Sequence, residues 1–307
     1  MITRTDVAVA AQRIAGRVRR TPVIEIESDA LWFKCEFMQH TGSFKARGAF
    51  NRILAAQQAD ALDPRVGVVV ASGGNAGLAV AYAAAAVGVP AQVYVPVTAP
   101  AVKVAKLRAL GAHVEQVGRE YAEAYEAAVK RAADTGAVYC HAYDQAEIVA
   151  GQGTLGLELT EQVPGGFDTV LVAVGGGGLM GGIATALPDR ATVVGVEPVT
   201  VPTLHTALAQ GGPVDVGVSG IAADSLGARR IGDIAYAVAV RTGVKSVLVS
   251  DDDIVSARRD LWAHQRIAVE HGAAAAWAAL TAGAYRPAPG ERVVVVLCGA
   301  NTDPSDL

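Results

Sequence analysis

The sequence predicts an α/β protein with two parallel sheets, and three observations lead to that prediction. Short runs of β-branched residues alternate with longer stretches of helical apolar spacing, the order expected of parallel strands joined by crossover helices. Two of these runs end in glycine-rich turns that open a helix, at residues 72–75 and 175–178. At 307 residues, the chain is longer than a typical single domain. We therefore expect a small α/β domain, residues 67–143, inserted in a larger α/β domain built from residues 1–66 and 144–307.

The chain before residue 67 supplies the first elements of the larger domain. Apolar residues at helical spacing predict a helix over 6–18, and an extended segment follows over 21–26. A strand predicted over 32–37 leads into a glycine-containing turn around Lys45, and a helix is then expected to run to about residue 56.

The smaller domain begins with a continuous β-branched run at 66–71, which is typical of a strand buried on both faces. Helices and strands then alternate: helices over 76–87, 101–110 and 121–135, and strands over 91–95, 114–117 and 138–140. Residues 76–97 are almost all apolar, but Gly88 and Pro90 divide them. We therefore expect a buried helix and a buried strand there, not a membrane span.

The rest of the larger domain repeats the same alternation. A helix is predicted over 147–162, a strand over 169–174, a helix over 179–187 and a strand over 192–197. We then predict a strand over 235–240, helices across 252–282 and a last strand over 292–297, which together complete the second sheet.

Composition and charge exclude several classes of protein. The net charge is −4 with acids and bases interspersed, so no basic run indicates binding to nucleic acid or to an anionic membrane. Cys35, Cys140 and Cys298 lie far apart, which favours neither a disulfide framework nor a structural zinc site. The first residues lack the apolar core typical of a signal peptide, and we expect a cytoplasmic protein.

Lys45 is the first candidate for chemistry. Only six of the 26 basic residues are lysines, so arginine is the usual surface cation of this chain. Arginine cannot form an imine because its guanidinium stays protonated, whereas a lysine in an apolar turn can lose its proton and attack a carbonyl group. On these residues alone, Lys45 is either such a nucleophile or a lysine that reaches the surface.

The four glycines at 175–178 follow a predicted buried strand and open a helix, and we name them the glycine loop. Glycine lets the backbone approach a ligand closely, and N–H groups at a helix N-terminus attract anions, so this loop predicts a phosphate site. Gly176, Gly178 and Gly181, with Glu197 ending the next strand, also satisfy a dinucleotide fingerprint. A nicotinamide-dependent oxidoreductase is therefore an open alternative at this point.

Two further strand ends carry polar residues. The turn 72–75, Ser-Gly-Gly-Asn, offers N–H groups, a hydroxyl and an amide at a helix N-terminus, a set that suits a carboxylate or simply caps the helix. Cys298 follows the last predicted strand, where α/β sheets place ligands, although a buried cysteine there also fits as a small apolar residue.

Together these segments resemble one known family. The stretches 43–49, 72–75, 175–178 and 298–301, in that order, resemble the fold type II pyridoxal-phosphate enzymes, and within them the serine/threonine dehydratase and serine racemase group. Residues 20–22 and 150–154 extend the similarity over nearly the whole chain. The resemblance implies a fold like that of the tryptophan synthase β subunit, pyridoxal 5'-phosphate as the cofactor, and a homodimer.

The resemblance also assigns cofactor contacts. Lys45 would form the Schiff base, Phe44 would lie against the cofactor ring, and Cys298 would face the pyridine nitrogen, where many relatives have serine. The phosphate would be held by five backbone N–H groups, those of Gly175, Gly176, Gly177, Gly178 and Leu179. The ring hydroxyl would contact Asn75, and the substrate carboxylate would be bound by Ser72, Gly74, Asn75 and Ala76.

Three departures from the group change what we expect. Gly73 stands where serine racemases have a serine that handles a proton on the face opposite the lysine, so we expect little racemisation. At the divalent-cation site of several relatives, Glu197 is present but Thr203 replaces an aspartate, so we expect no metal site and treat Glu197 as a solvated charge at a strand end or a remnant ligand. His271 follows Glu270 where the group often has proline, so we give Glu270 little weight as a ring contact.

The resemblance implies a lyase that eliminates the β-hydroxyl group of L-threonine, L-serine or both, giving a 2-oxo acid and ammonia. The alternatives are a serine or hydroxyaspartate racemase/dehydratase with the same cofactor, and the nicotinamide oxidoreductase that uses residues 176–181. The expected partner is a small amino-acid substrate.

Overall fold

A computed structural model describes residues 2–307. Its strands are β1 Val23–Glu27, β2 Leu31–Lys34, β3 Val68–Ala71, β4 Ala91–Val95, β5 His113–Gln116, β6 Val138–Tyr139, β7 Thr169–Ala173, β8 Thr192–Pro198, β9 Lys245–Val249 and β10 Val293–Val296. They form a six-stranded sheet in the order β1-β2-β10-β7-β8-β9 and a four-stranded sheet in the order β5-β4-β3-β6. All neighbours pair in parallel except the β1–β2 hairpin, so the predicted parallel-sheet architecture is confirmed.

Helices connect these strands. They are α1 Arg4–Arg13, α2 Lys45–Gln58, α3 Asn75–Val87, α4 Ala101–Ala109, α5 Tyr121–Thr135, α6 Ala146–Gln162, α7 Gly178–Ala186, α8 Thr203–Gln210, α9 Ala223–Leu226, α10 Asp233–Thr242, α11 Asp251–Gln265 and α12 His271–Thr281. Two 3-10 turns, Glu36–Met38 and His40–Gly42, join β2 to α2.

The core of the larger sheet lies around β7, β8 and β10, whose residues are almost all buried. Continuous valine-rich runs form such strands because helices cover both faces of the sheet. Close helix packing beside it depends on glycine: a Cβ at Gly182 of α7 would lie 2.5 Å from the backbone nitrogen of Gly153 in α6.

The smaller sheet has a core of its own, to which α3 contributes a run of alanines. Helix α2 also packs into this core through Phe50 and Ile53, although it precedes β3 in the chain. Lys45 therefore begins a helix that is anchored on the smaller sheet. The domain limits 1–66, 67–143 and 144–307 stay a prediction.

The strand predicted over 235–240 is wrong, because these residues form part of α10. The buried residues there are Ala235, Val238 and Ala239, a helical spacing that the alternation of alanine and valine concealed. The edge strand next to β8 is β9, which was not predicted because it begins with an exposed lysine and is only partly buried. Helices α8 and α9 were also missed, and α1 ends at Arg13, earlier than predicted.

The apolar stretch 76–97 forms α3 and β4, as predicted. Over residues 2–307, the structure contains no helix with the length and apolarity needed to cross a membrane.

Candidate active site

The carboxyl ends of strands from both sheets face one cavity of ≈ 520 Å³. Six of the residues predicted to bind cofactor or substrate line it: Lys45, Ser72, Gly74, Asn75, Ala76 and Gly176. Phe44, Gly175, Gly177, Gly178, Leu179 and Cys298 do not line it. Phe44, Gly175 and Gly177 are chain neighbours of residues that do, Gly178 lies against the lining residue Tyr143, and Cys298 lies near Lys45. The structure thus brings the predicted motifs together from four separate parts of the chain.

The turn before Lys45 is fastened to the end of β10. The Phe44 N–H donates to the Cys298 carbonyl at 3.1 Å, and the Ala300 N–H donates to the Gly42 carbonyl at 2.9 Å. Ser43 and Gly299 form an antiparallel bridge between these two bonds. This pairing fixes Lys45 at the start of α2 and next to Cys298.

The Lys45 side chain is half-buried, and its Nζ donates to the Ala142 carbonyl at 2.6 Å. Nζ also lies 5.0 Å from the centre of the Phe44 ring. Burial lowers the pKa of Lys45 to about 8, while the nearby Cys298 and Glu270 partly oppose that shift. A larger share of neutral amine is therefore present near pH 7 than for an ordinary lysine.

The glycine loop is shaped by packing. Gly177 has φ +80°, and a Cβ there would lie 2.7 Å from the Ala235 methyl group. A Cβ at Gly176 would lie 2.3 Å from the Tyr143 ring. No larger residue fits either position without movement of its neighbours, which explains the glycines on steric grounds.

The loop also offers unused donors. Within residues 2–307, no protein acceptor pairs with the N–H groups of Gly176 and Gly177, and the first-turn N–H groups of α7 have no intrahelical partner. The Thr203 hydroxyl donates to the Gly175 carbonyl at 2.6 Å, and this bond restrains the start of the glycine loop. A cradle of free N–H groups at a helix N-terminus fits a phosphate.

Asn75 begins α3, and its amide is fully oriented by two partners. Its Nδ2 donates to both Glu270 oxygens, at 2.8 and 3.1 Å, and its Oδ1 accepts from Asn301 Nδ2 at 2.7 Å. Next to it, the Ser72 hydroxyl accepts a weak bond from the Gly74 N–H at 3.3 Å. The N-terminus of α3 therefore opens into the cavity with Ser72 and Asn75 beside it.

Glu270 is more central than the sequence indicated. The residue is 6% exposed, and burial raises the pKa of its carboxyl group to about 7. His271 does not disturb the backbone: Glu270 has the extended φ/ψ of an N-cap residue, and α12 begins normally at His271. The link between Glu270 and Asn75 joins residues 195 positions apart, which no local sequence pattern could show.

Glu197 is buried, so its interpretation as a solvated charge was wrong. Its oxygens accept from the Leu204 N–H at 2.6 Å and the His205 N–H at 2.8 Å, which caps α8. The Thr203 hydroxyl, whose one proton is directed mainly at the Gly175 carbonyl, lies 3.0 Å from the same carboxylate. Burial raises the pKa of Glu197 to about 7. Over residues 2–307, no three His, Cys, Asp or Glu side chains are grouped as metal ligands.

Cys298 lies at the end of β10 with 3% of its surface exposed. Burial raises the pKa of its thiol well above the usual value, with a smaller contribution from Glu270. The thiol is therefore neutral at physiological pH and does not supply a negative charge.

Comparisons with known proteins agree with this geometry. Residues 14–299 match the model of a family described as pyridoxal-phosphate dependent enzyme. An L-threonine ammonia-lyase of Geobacter sulfurreducens is 36% identical over 99% of this chain and 76% of its own length. A phenylserine dehydratase of Ralstonia pickettii is 38% identical over 95% of this chain and 90% of its own length.

The solved structure of maize serine racemase has the same fold. It superposes with a TM-score of 0.90 at 32% identity, covering 98% of this chain and 94% of that one. The resemblance and the fold type predicted from the motifs are therefore confirmed. The relatives are named for three different substrates, and one of them for racemisation, so the comparisons agree on the cofactor more closely than on the substrate.

Proposed function

The chain belongs to the family of pyridoxal-phosphate dependent enzymes, and we propose that it is an ammonia-lyase converting L-threonine, L-serine or both to a 2-oxo acid and ammonia. The observation that supports this most directly is the single cavity shared by the Lys45 amine, the N-terminus of α3 and the glycine loop. The loop fits the cofactor's phosphate, and Lys45 is the amine to which its aldehyde would bind.

The cofactor, when bound, supplies an aromatic ring that delocalises the electron pair left on the substrate when a proton departs. The chain supplies binding and proton transfer. We propose that Gly175 to Leu179 hold the phosphate and that Ser72 and residues 74–76 hold the substrate carboxylate. Lys45, with its lowered pKa, would take the proton from the α-carbon once the substrate amine has replaced it on the cofactor.

Two residues favour elimination over other reactions of this cofactor. The neutral Cys298 thiol cannot keep the pyridine nitrogen protonated as a carboxylate would, which limits the build-up of charge on the ring and favours prompt loss of the β-hydroxyl group. Gly73 has no side chain with which to move a proton on the second face. We therefore propose dehydration with little racemisation.

The nicotinamide alternative has no support in the geometry. The acidic residue of a dinucleotide fingerprint must reach the ribose hydroxyls, whereas both oxygens of Glu197 are occupied by α8 and buried. The family match leaves no role for that cofactor.

A second candidate, L-threo-3-hydroxyaspartate, is favoured by one observation. Arg229 and Arg230 line the same cavity, and guanidinium groups bind carboxylates in pairs of hydrogen bonds. A substrate with a second carboxylate would find a cation there that threonine does not need.

The test is an assay of the purified chain with pyridoxal phosphate against L-threonine, L-serine, L-threo-3-hydroxyaspartate and L-threo-phenylserine. We expect cofactor absorbance in the near-visible range and 2-oxobutanoate from threonine or pyruvate from serine. Lys45→Ala is the control and should release no 2-oxo acid. Release from hydroxyaspartate or phenylserine alone would overturn the proposed substrate but not the family.

The assembly is also a proposal. We expect a homodimer, to be checked by light scattering of the purified chain.

A further inference from the structure

Glu270 is a buried carboxylate of the site to which the proposed reaction gives no task. It stands at the N-cap of α12, between Asn75 and the backbone that follows β10. We propose that Glu270 is a positioning residue, which fixes the Asn75 amide in one orientation and holds a negative charge close to Lys45.

The orientation follows from the donors and acceptors. A carboxylate only accepts hydrogen bonds, so the two Glu270 oxygens select the N–H side of Asn75. Asn301 secures the opposite end, because its Nδ2 donates at 2.7 Å to Asn75 Oδ1 and at 2.7 Å to the Thr41 carbonyl. A reversed Asn75 amide would place oxygen against carboxylate and nitrogen against nitrogen. The Asn75 amide at the cavity is thereby held in one orientation.

The carboxylate itself has little freedom. The Glu270 N–H donates to the Gly299 carbonyl at 3.1 Å, and a Cβ at Gly299 would lie 2.4 Å from Glu270 Oε1. A residue with a side chain at position 299 would clash with the Glu270 carboxylate, so glycine is needed there beside the end of β10. Gly299 and Glu270 therefore depend on each other sterically.

Glu270 has no salt-bridge partner within residues 2–307. The groups that act on its pKa are Lys45 at the start of α2 and Asp224 on α9, besides the amides of Asn75 and Asn301, and Cys298 after β10 is coupled to it. Lys103 and Lys106 of α4 line a small cavity with it. Lys45 is the cation whose charge acts on the Glu270 pKa. A buried carboxylate without a direct counter-ion destabilises the fold, and such groups are characteristic of functional sites.

Glu270 lies close to Lys45 because its N–H donates to the Gly299 carbonyl and Gly299 pairs with Ser43, two residues before Lys45. Burial lowers the pKa of Lys45, whereas Glu270 raises it because a negative charge stabilises the ammonium form. Removal of the charge must therefore lower the pKa of Lys45 further. Because this concerns the cofactor site, it holds for any of the substrates considered above.

The first test measures how fast the cofactor-free chain takes up pyridoxal phosphate as a function of pH, since uptake requires the neutral Lys45 amine. We expect a midpoint near the Lys45 pKa of about 8 for the wild type. For Glu270→Gln we expect a midpoint lower by about half a unit or more. Glu197→Gln is the matched control, because Glu197 is also buried with a similarly raised pKa but is not among the charges that act on Lys45. An unchanged or higher midpoint for Glu270→Gln, or the same shift for Glu197→Gln, would overturn the assigned charge effect.

The second test measures cofactor dissociation constants for Glu270→Gln, Asn75→Ala and the double variant. If Glu270 acts through Asn75, its substitution should weaken binding about fivefold in the wild type and less than about twofold in the Asn75→Ala background. Two losses that simply multiply would overturn the pairing. Neither test uses an amino-acid substrate, so failure here is distinguishable from failure of the proposed reaction.

Discussion

Replacement of Arg47 by methionine should destabilise the fold by about 3–5 kcal/mol, because it breaks a buried ion network two residues after Lys45. The Arg47 side chain has no exposed surface. It donates to both oxygens of Glu36, at 2.8 and 3.1 Å, and to both oxygens of Glu158, at 2.7 and 2.9 Å. Lys34 contributes the second cation at 2.6 Å from Glu158, so two positive and two negative groups balance.

The magnitude follows from what remains after Arg47 is removed. Glu158 keeps Lys34, but Glu36 keeps only the Gln39 amide at 3.4 Å and is fully buried. One uncompensated carboxylate is therefore left in the core, which is the costly case for a buried pair. The loss is a large share of the about 5–15 kcal/mol that stabilises a typical protein.

The assay is urea unfolding followed by tryptophan fluorescence, and the matched control is Arg52→Met on the same helix. Arg52 is partly exposed and lies 3.6 Å from Glu147, so we expect a loss of about 0–1 kcal/mol. Arg47→Met combined with Glu36→Gln should recover part of the stability, because it removes the orphaned charge. Equal losses for Arg47→Met and Arg52→Met, or no recovery in the double variant, would refute the reasoning.

Three further predictions address the site. Gly73→Ser should raise the rate of D-serine formation from L-serine several-fold. A Cβ at residue 73 fits with only a small movement of the Val95 methyl group, which would lie 3.3 Å away. Chiral chromatography measures the D-serine, and an unchanged rate would contradict the prediction. Added Mg²⁺ should leave the melting temperature unchanged, because the Glu197 oxygens are already used by α8; a rise of several degrees would show that the site still binds metal. Glu270 has a pKa raised to about 7 from 4.5, so the stability that it contributes is full below about pH 4.5 and is lost as pH rises through 7. In thermal melts, the stability of the wild type relative to Glu270→Gln should therefore fall between pH 5 and pH 8. A difference that stays constant over this range would contradict the prediction.

Much of the fold could be predicted because its signals are local. The valine runs that became β3, β7 and β10 are continuous, and β3 and β7 are each followed by a turn whose residues mark a helix start. The strand prediction for residues 235–240 failed for a physical reason. Alanine and valine alternate there as in a strand, yet the segment is a helix that buries only one face, against α7. The strand β9 was not predicted because an edge strand buries less apolar surface and so carries a weaker apolar pattern.

The site divides along the same line. Lys45, the 72–75 turn and the glycine loop could be predicted because each depends on a short stretch of chain at a strand end, and the sheet then brings those ends together. The roles of Glu270 and Glu197 could not, because a carboxylate's task depends on which donors surround it. Glu197 caps a helix only because α8 starts six residues later and folds back onto it.

The two buried glutamates show why burial alone does not identify a functional group. Both have pKa values raised to about 7 by the same cause. Glu197 accepts hydrogen bonds from backbone N–H groups at the N-terminus of α8, and these groups stabilise its negative charge. Glu270 instead bonds to the side chain of Asn75 at the edge of the cavity and has Lys45 as its nearby cation. The difference lies in the partners of the two carboxylates. Glu197 stabilises a helix, whereas Glu270 is proposed to orient Asn75 and to raise the pKa of Lys45, the two residues on which cofactor binding is proposed to depend.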